Sequence, residues 1–176
     1  MSVENNEVEW AEVRVRAWST PKIELRRAEI GQGVFAREAI AAGEVLIALA
    51  HVFVGAPERH TIQIDGERHQ AGTGEIDDYL NHSCDPNAAL DAERLCFVAI
   101  RAIAPGEEVT FNYLTSEWDM AEAFDCRCGA EHCLSKIRGF RHLPPEEQDR
   151  LLPLLTPFLR AQRRARDLRG DLQKVA

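Results

Sequence analysis

The chain lacks several things, and each absence excludes a class of protein. No apolar run approaches the roughly 18 residues of a membrane-spanning helix, so no transmembrane segment is expected. The opening stretch, Met1 to Glu9, is acidic and polar, whereas a secretory leader starts basic and turns apolar. The expectation is an intracellular protein, cytoplasmic or in an equivalent reducing compartment, and not a secreted one. Positive charge is in deficit: 21 Lys and Arg face 29 Asp and Glu, for a net charge of -8. That argues against a general grip on nucleic acid, which needs a cationic face, and for a basic partner. Cysteines number 5, so a disulfide framework cannot use them all. Thiols in reducing compartments more often bind metal than pair with each other. Internal repeats and low-complexity tracts are absent.

What is present fits one soluble domain of 176 residues. Its most distinctive stretch is Asn81-His82-Ser83-Cys84-Asp85-Pro86-Asn87, set between apolar segments. Pro86 removes a backbone donor and drives Asp85 out of helical geometry, while Asn and Asp favour tight turns. A sharp, rigid loop carrying a thiol, an imidazole and two amides is expected. Downstream lie Cys126-Arg127-Cys128 and Cys133, three thiols in C-x-C-x4-C spacing. A structural zinc takes four tetrahedral ligands and prefers thiolate, and Cys84 is the natural fourth. Cys96 sits among large apolar residues and reads as a buried, inert thiol.

Strand signals recur along the chain. Val13, Val15 and Ala17 alternate with Arg14, Arg16 and Trp18, Ile23 to Ala28 forms a second short strand, and Val34-Phe35-Ala36 resumes after Gly31-Gln32-Gly33. Two glycines around one residue allow close backbone approach to a ligand, although a lone Gly-x-Gly is usually only a turn. The third glycine and following helix of a dinucleotide fingerprint are missing. Val45 to Val54 suits a buried strand. Asp65-Gly66 predicts a two-residue hairpin, and Ile76 to Leu80 one or two helical turns. Leu95 to Ile100 and Val109 to Leu114 are further strands. Beyond Pro144, Glu146-Glu147 opens a helical segment, and an arginine-rich helix over 158–172 is expected to pack on the domain with a solvated face. Many short strands with Gly and Pro turns indicate a mainly β architecture.

The loop 81–87, then Gly106-Glu107-Glu108-Val109-Thr110-Phe111-Asn112-Tyr113, then the cysteine cluster, closely resemble the SET-domain protein lysine methyltransferases with a post-SET zinc module. The resemblance runs from about Ile23 to Ile137. It implies a β-clip fold, with small curved sheets around a pseudoknot in which the last strand passes beneath the Asn-His loop. It also implies a C-terminal post-SET zinc module and short C-terminal helices. The implied division is a flexible lead over 1–12, a SET domain over 13–120, the zinc module over 121–140 and a helical extension over 141–176. The implied activity is methyl transfer from S-adenosyl-L-methionine to a lysine amine of a basic protein or peptide.

On that resemblance Tyr113 is the catalytic phenol and also a cofactor contact. Gly31, Gln32, Gly33, Asn81 and His82 line the cofactor site. Phe111 and Tyr79 fall at the substrate pocket, and phenylalanine at 111 resembles the roomier pocket that admits more than one methyl. Cys84, Cys126, Cys128 and Cys133 hold one structural zinc, a closed sphere that argues against a zinc hydrolase. Departures are also visible. Tyr79 and Tyr113 are the only tyrosines, so a second active-site tyrosine upstream of the Asn-His motif is absent. His51, His60 and His69 are the candidates for its neighbourhood. Asp78 stands where the family often has arginine, and Asn112 where it often has aspartate. These departures keep a second reading open, a catalytically silent SET-like module that binds a peptide.

Overall fold

The computed structural model describes residues 17–29 and 31–175. The lead over 1–12 and the strand start at Val13 and Val15 lie outside the described residues. Thirteen short strands are described: β1 (Trp18–Ser19), β2 (Ile23–Arg27), β3 (Gln32–Ala36), β4 (Val45–Ala48), β5 (Phe53–Val54), β6 (Ile62–Gln63), β7 (His69–Gln70), β8 (Asn81–His82), β9 (Ala88–Asp91), β10 (Cys96–Ala99), β11 (Glu108–Phe111), β12 (Phe124–Asp125) and β13 (Lys136–Ile137). Helix α1 (Pro145–Leu151) and helix α2 (Pro157–Val175) close the chain. The architecture is mainly β, as the pattern of short strands predicts.

The large sheet runs β1-β4-β10-β9-β11-β3-β2, with β8 joined to β11. Val34, Leu46, Ile47, Phe97 and Val109, contributed by β3, β4, β10 and β11, are all fully buried and form the main core. β-branched and aromatic residues at alternate positions give these strands a buried face.

Strand β11 has an unusual setting. Its first half pairs antiparallel with β3, through Glu108 opposite Phe35 and Val109 opposite Val34. Its second half pairs parallel with both arms of the 81–87 loop: Phe111 is opposite His82 on one side and Ala88 on the other. The loop arches across the strand, with the Ser83 N–H donating to the Phe111 carbonyl (3.1 Å) and the Asn87 N–H to Thr110 (3.3 Å). Asn87 fastens it further. Its Oδ1 accepts from the Thr110 N–H (2.9 Å) and its Nδ2 donates to the Glu108 carbonyl (2.7 Å).

Three local expectations need correction. The run Val45 to Val54 is two strands, β4 and β5, parted at His51, whose φ is 57°. The hairpin at Asp65-Gly66 is wider than two residues, because Gln63 pairs with His69. Asp65 organises the turn by accepting from the N–H groups of Glu67 (2.9 Å) and Arg68 (2.8 Å), so side-chain capping decides the loop length. Strand β11 ends at Phe111, and Tyr113 opens a 3-10 turn, Tyr113–Thr115. Asn112 forces this break: its Oδ1 accepts from the Leu114 N–H at 3.0 Å, a cap that competes with the strand ladder.

The C-terminal helices pack beneath that turn. Phe140, Leu155 and Leu159 form a second buried cluster, to which Trp118 adds its ring. The Thr156 N–H reaches the Thr115 carbonyl (3.0 Å), and the Phe140 N–H reaches Glu117 (2.8 Å). Arg160 and Arg163 of α2 are engaged with the Leu155 carbonyl and with Asp149. The expected packing of this helix on the domain is therefore present. No helix among the described residues is long and apolar enough to cross a membrane.

Candidate active site and metal centre

Tyr113, Asn81, His82 and the Gly31–Gly33 turn converge where β3, β8 and β11 meet. Gly31 takes a φ of 70°, a left-handed conformation that suits glycine. Gly33 matters for a different reason: a Cβ there would meet the ends of the Glu108 and Asn81 side chains and push apart the bond between them. Asn81 Nδ2 donates to the Gln32 carbonyl (3.0 Å) and to Glu108 Oε1 (2.7 Å). Both of its amide hydrogens are thus committed, which leaves Oδ1 as the acceptor a ligand can use.

His82 serves the site's framework. Its Nδ1 accepts from the Tyr113 N–H at 3.1 Å, so the neutral ring carries its proton on Nε2, which lies 3.4 Å from Cys84 Sγ. Burial lowers its pKa to about 4, so the ring is uncharged at neutral pH. The imidazole links the strand that delivers Tyr113 to the loop that delivers Cys84.

The Tyr113 hydroxyl donates to the Leu80 carbonyl at 2.7 Å. Burial pushes its pKa well above the ordinary phenol value, and the Glu117 and Glu108 charges act in the same direction. The phenol stays protonated, with its hydrogen spent on Leu80 and its lone pairs free to orient a donor. Its ring lies 4.7 Å from Phe111, 5.1 Å from His82 and 6.0 Å from Phe124.

A cleft of about 560 Å³, open mouth included, is lined by Tyr113, Phe111, Leu80, His60, Asp77 and Glu117 among others. Of the three histidines near the missing tyrosine, His60 is the one on this cleft. Tyr79 is not on it. It packs against the main core instead, while its neighbours Asp78 and Leu80 line the cleft. The reason is the helix type. Residues 76–79 form a 3-10 turn, in which positions three apart eclipse, so Asp77 and Leu80 share a face and Tyr79 leaves it.

Glu117 is buried on the same cleft. Its Oε1 accepts from the Gln63 N–H (2.8 Å) and from the Ser116 hydroxyl (3.0 Å). Burial raises its pKa to about 7 against those hydrogen bonds.

Cys84, Cys126, Cys128 and Cys133 come together with every Sγ within 4.8 Å of the others. Four soft thiol donors at that spacing fit one tetrahedral zinc. Backbone N–H groups already point at the sulfurs: Cys84 N–H lies 3.5 Å from Cys128 Sγ, and Leu134 N–H lies 3.5 Å from Cys84 Sγ. Such bonds favour thiolate. Cys96 is buried in β10, away from the cluster, as expected. The short pair β12–β13 carries Phe124 to within 5.7 Å of the His82 ring, so the cysteine segment walls one side of the site.

Sequence reasoning missed Glu117, Asp77, Glu108 and Phe124 as contributors. Phe124 had a faint signal, an aromatic two residues before the first clustered cysteine. Glu108 lies within the Gly106–Tyr113 motif but drew no role there, and Glu117 and Asp77 had no signal, since acidic residues are common in this chain.

The fold is SET-like, and residues 31–114, just under half of the chain, match the family described as SET domain. Among curated relatives, the chain is 40% identical over 63 residues to Methyltransferase flvH of Aspergillus flavus, covering 35% of each protein. It is 39% identical over 80 residues to Histone-lysine N-methyltransferase mes-4 of Caenorhabditis elegans, covering 36% of this chain and 9% of that one. Against Histone-lysine N-methyltransferase Set2 of Drosophila melanogaster it is 40% identical over 72 residues, covering 38% and 3%. The chain therefore spans about a third or far less of the length of these relatives. Among solved structures, KRYPTONITE in complex with mCHG DNA and SAH superposes with a TM-score of 0.53 at 25% identity, over 65% of this chain and 28% of that one. A second complex, with mCHH DNA, an H3(1-15) peptide and SAH, gives 0.54 over 65% and 29%.

Proposed function

We propose that this chain is an S-adenosyl-L-methionine-dependent protein-lysine N-methyltransferase. The observation that carries the reading is the position of Tyr113. Its protonated phenol, fixed on Leu80, lines an open cleft, and its backbone N–H is held by His82, the residue after Asn81. When bound, the cofactor supplies a sulfonium methyl. The chain's own task is alignment and desolvation, the larger part of catalysis when reactants need only be brought in line. Gly31, Gln32, Gly33, Asn81 and the His82 backbone line the cofactor side, and Asn81 Oδ1 accepts a hydrogen bond there. Tyr113 orients the reacting groups, and Phe111 walls the lysine channel and leaves room for more than one methyl.

One zinc held by Cys84, Cys126, Cys128 and Cys133 is structural in this reading, and fixes the wall that carries Phe124. The functional units are a SET domain over 13–120, a post-SET zinc module over 121–140 and a helical extension over 141–176. The substrate is a basic protein or peptide in an intracellular compartment. Support comes from relatives named histone-lysine N-methyltransferases, and from the SAH and histone peptide in the neighbouring complexes.

The test is methyl transfer from isotope-labelled S-adenosyl-L-methionine to a pool of lysine-containing peptides, read by mass spectrometry. Label on lysine that disappears in Tyr113→Phe supports the reading. Cofactor binding by calorimetry with no transfer to any pool would favour the silent peptide-binding module. The lack of a second tyrosine upstream of Asn81, apart from Tyr79, with His60 lining the cleft, keeps that alternative in play.

A further inference from the structure

Glu117 is a buried acid on the cleft to which the proposed reaction gives no task so far. It is 7% exposed, and its surroundings fix its aim. Its N–H donates to the Tyr113 carbonyl at 2.9 Å, so one turn of chain brings both side chains to the same cleft. Behind it, the Phe140 N–H holds the Glu117 carbonyl at 2.8 Å. Oε1 is taken up by the Gln63 N–H and the Ser116 hydroxyl. Oε2 meets no donor among the described residues, yet it is not closed off from solvent. One oxygen is anchored by two donors, and the other is open.

Transfer to lysine needs such a group. At neutral pH a lysine arrives as ammonium, without the lone pair that must attack. Its proton has to be taken inside the cleft. The other ionisable groups are unsuited. Tyr113 spends its hydrogen on Leu80, and burial keeps the phenol protonated. Both Asp77 oxygens and Asp78 Oδ1 are closed off, and Asp78 Oδ2 is occupied by the Gly74 N–H. Glu58, Arg59, His60 and Glu122 line the cleft but are exposed, so bulk water competes for any proton they would take. Glu108 is bonded to Asn81, and Arg141 and His142, behind Glu117, pair with Asp119. Burial lifts the Glu117 pKa to about 7 against the pull of its two donors. A base tuned close to the working pH is the effective kind.

We propose that Glu117 Oε2 is the proton acceptor for the substrate lysine, which makes Glu117 a catalytic residue beside Tyr113. This deepens the lysine methyltransferase reading and rests on it. The step is a proton transfer. An Nζ–H bond of the ammonium breaks, an O–H bond forms at Oε2, and the electron pair stays on nitrogen as the attacking lone pair. The carboxyl afterwards returns its proton to water through the open cleft, ready for a further transfer.

The test measures kcat/KM for a lysine-containing peptide with the full chain, from about pH 5.5 to about pH 9. Wild type should rise to a plateau above about pH 7, where Oε2 is ionised. Glu117→Gln should lose about a hundredfold at neutral pH, the usual size for a missing general base. It should then climb about tenfold per pH unit without a plateau, because only lysine that is already neutral can react. Ser116→Ala removes a donor to the carboxylate, so its break should move to higher pH. This variant carries the test if circular dichroism shows Glu117→Gln to be unfolded. A second readout needs no turnover: calorimetry of peptide binding to the SAH-loaded chain near pH 6, in buffers of different ionisation enthalpy. The carboxyl and the ammonium would share one proton where two were bound before. Wild type should therefore release about one proton more than Glu117→Gln. No loss in Glu117→Gln, a loss of equal size at every pH, an unmoved break in Ser116→Ala, or equal proton release overturns the proposal and leaves the methyltransferase reading standing. Wild type that transfers to no peptide overturns that reading, and the proposal with it.

Discussion

Strands β3, β4, β10 and β11 each bury at least two side chains, whereas between residues 121 and 136 no side chain is buried. The two regions meet at the candidate site and are ordered by different forces. The sheet is held by apolar burial spread over many residues, each contributing about 1.5 to 3 kcal/mol. The cysteine segment has a two-residue strand pair and three thiols that gather with Cys84 of the 81–87 loop, so its order rests on one centre. The comparison teaches that the walls of this site differ in fragility. The floor bearing Tyr113 and Phe111 should survive the loss of any one contact, while the wall bearing Phe124 should stand or fall with the zinc proposed at the four cysteines.

The sharpest way to break this contrast is to remove the zinc proposed at the four cysteines. Structural zinc contributes on the order of 10 kcal/mol or more, so chelation or Cys128→Ser should release residues 121–137 and abolish transfer. Hydrogen exchange should rise throughout that segment and stay low in β4, β10 and β11. Rapid exchange across the sheet as well would show that the two regions are not independent. Metal analysis of pure protein should find one zinc per chain.

The second effect belongs to the floor. Tyr113→Phe removes a hydroxyl bonded to Leu80 and should lower methyl transfer on the order of a hundredfold, as loss of one preorganised polar group does. Its melting temperature should change little, since one hydrogen bond contributes about 1 kcal/mol. A smaller effect tests packing between the Gly-x-Gly turn and Asn81. Gly33→Ala pushes its methyl against the Glu108 and Asn81 side-chain ends, and should cost about 1 kcal/mol or less in stability while weakening cofactor binding by calorimetry.

The smallest effect is titration of a buried acid beneath the site. Folded Glu117 titrates at about 7 against an ordinary 4.5, so between those values the folded chain binds more protons than the unfolded one. Its contribution to stability is present at low pH and is lost as pH rises through about 7. Asp77 acts in the same sense, between 3.8 and about 6. Glu117→Gln keeps an acceptor for Gln63 and Ser116 but cannot ionise. The melting temperature of Glu117→Gln relative to wild type should climb from pH 5 to pH 8. A flat difference would mean that the carboxyl is not held neutral by burial.

Much of the site was legible because its parts are local motifs with fixed chemistry. The turn-forming 81–87 loop, the cysteine spacing and Tyr113 each announce themselves within a few residues, and the cluster of four thiols assembled as the spacing suggested. Less legible were features set by distant partners or by competing local bonds. Tyr113 looked like the end of a strand until the Asn112 cap turned it into a 3-10 turn. Tyr79 carried the right residue type for a substrate pocket, but the helix pitch at 76–79 turns it into the core. The burial of Glu117 depends on Gln63, 54 positions away, and no local pattern reports such a contact.

The arch of Ser83–Asn87 over β11 has a mechanical consequence. A strand enclosed by an earlier loop cannot be peeled away one bond at a time. Tension on the chain ends loads the parallel bonds at Asn81, His82 and Ala88 together, like a belt drawn against its buckle. A polypeptide leaving the ribosome likewise cannot fasten this buckle until Phe111 has emerged, so the first half of the domain must wait, open, for the second.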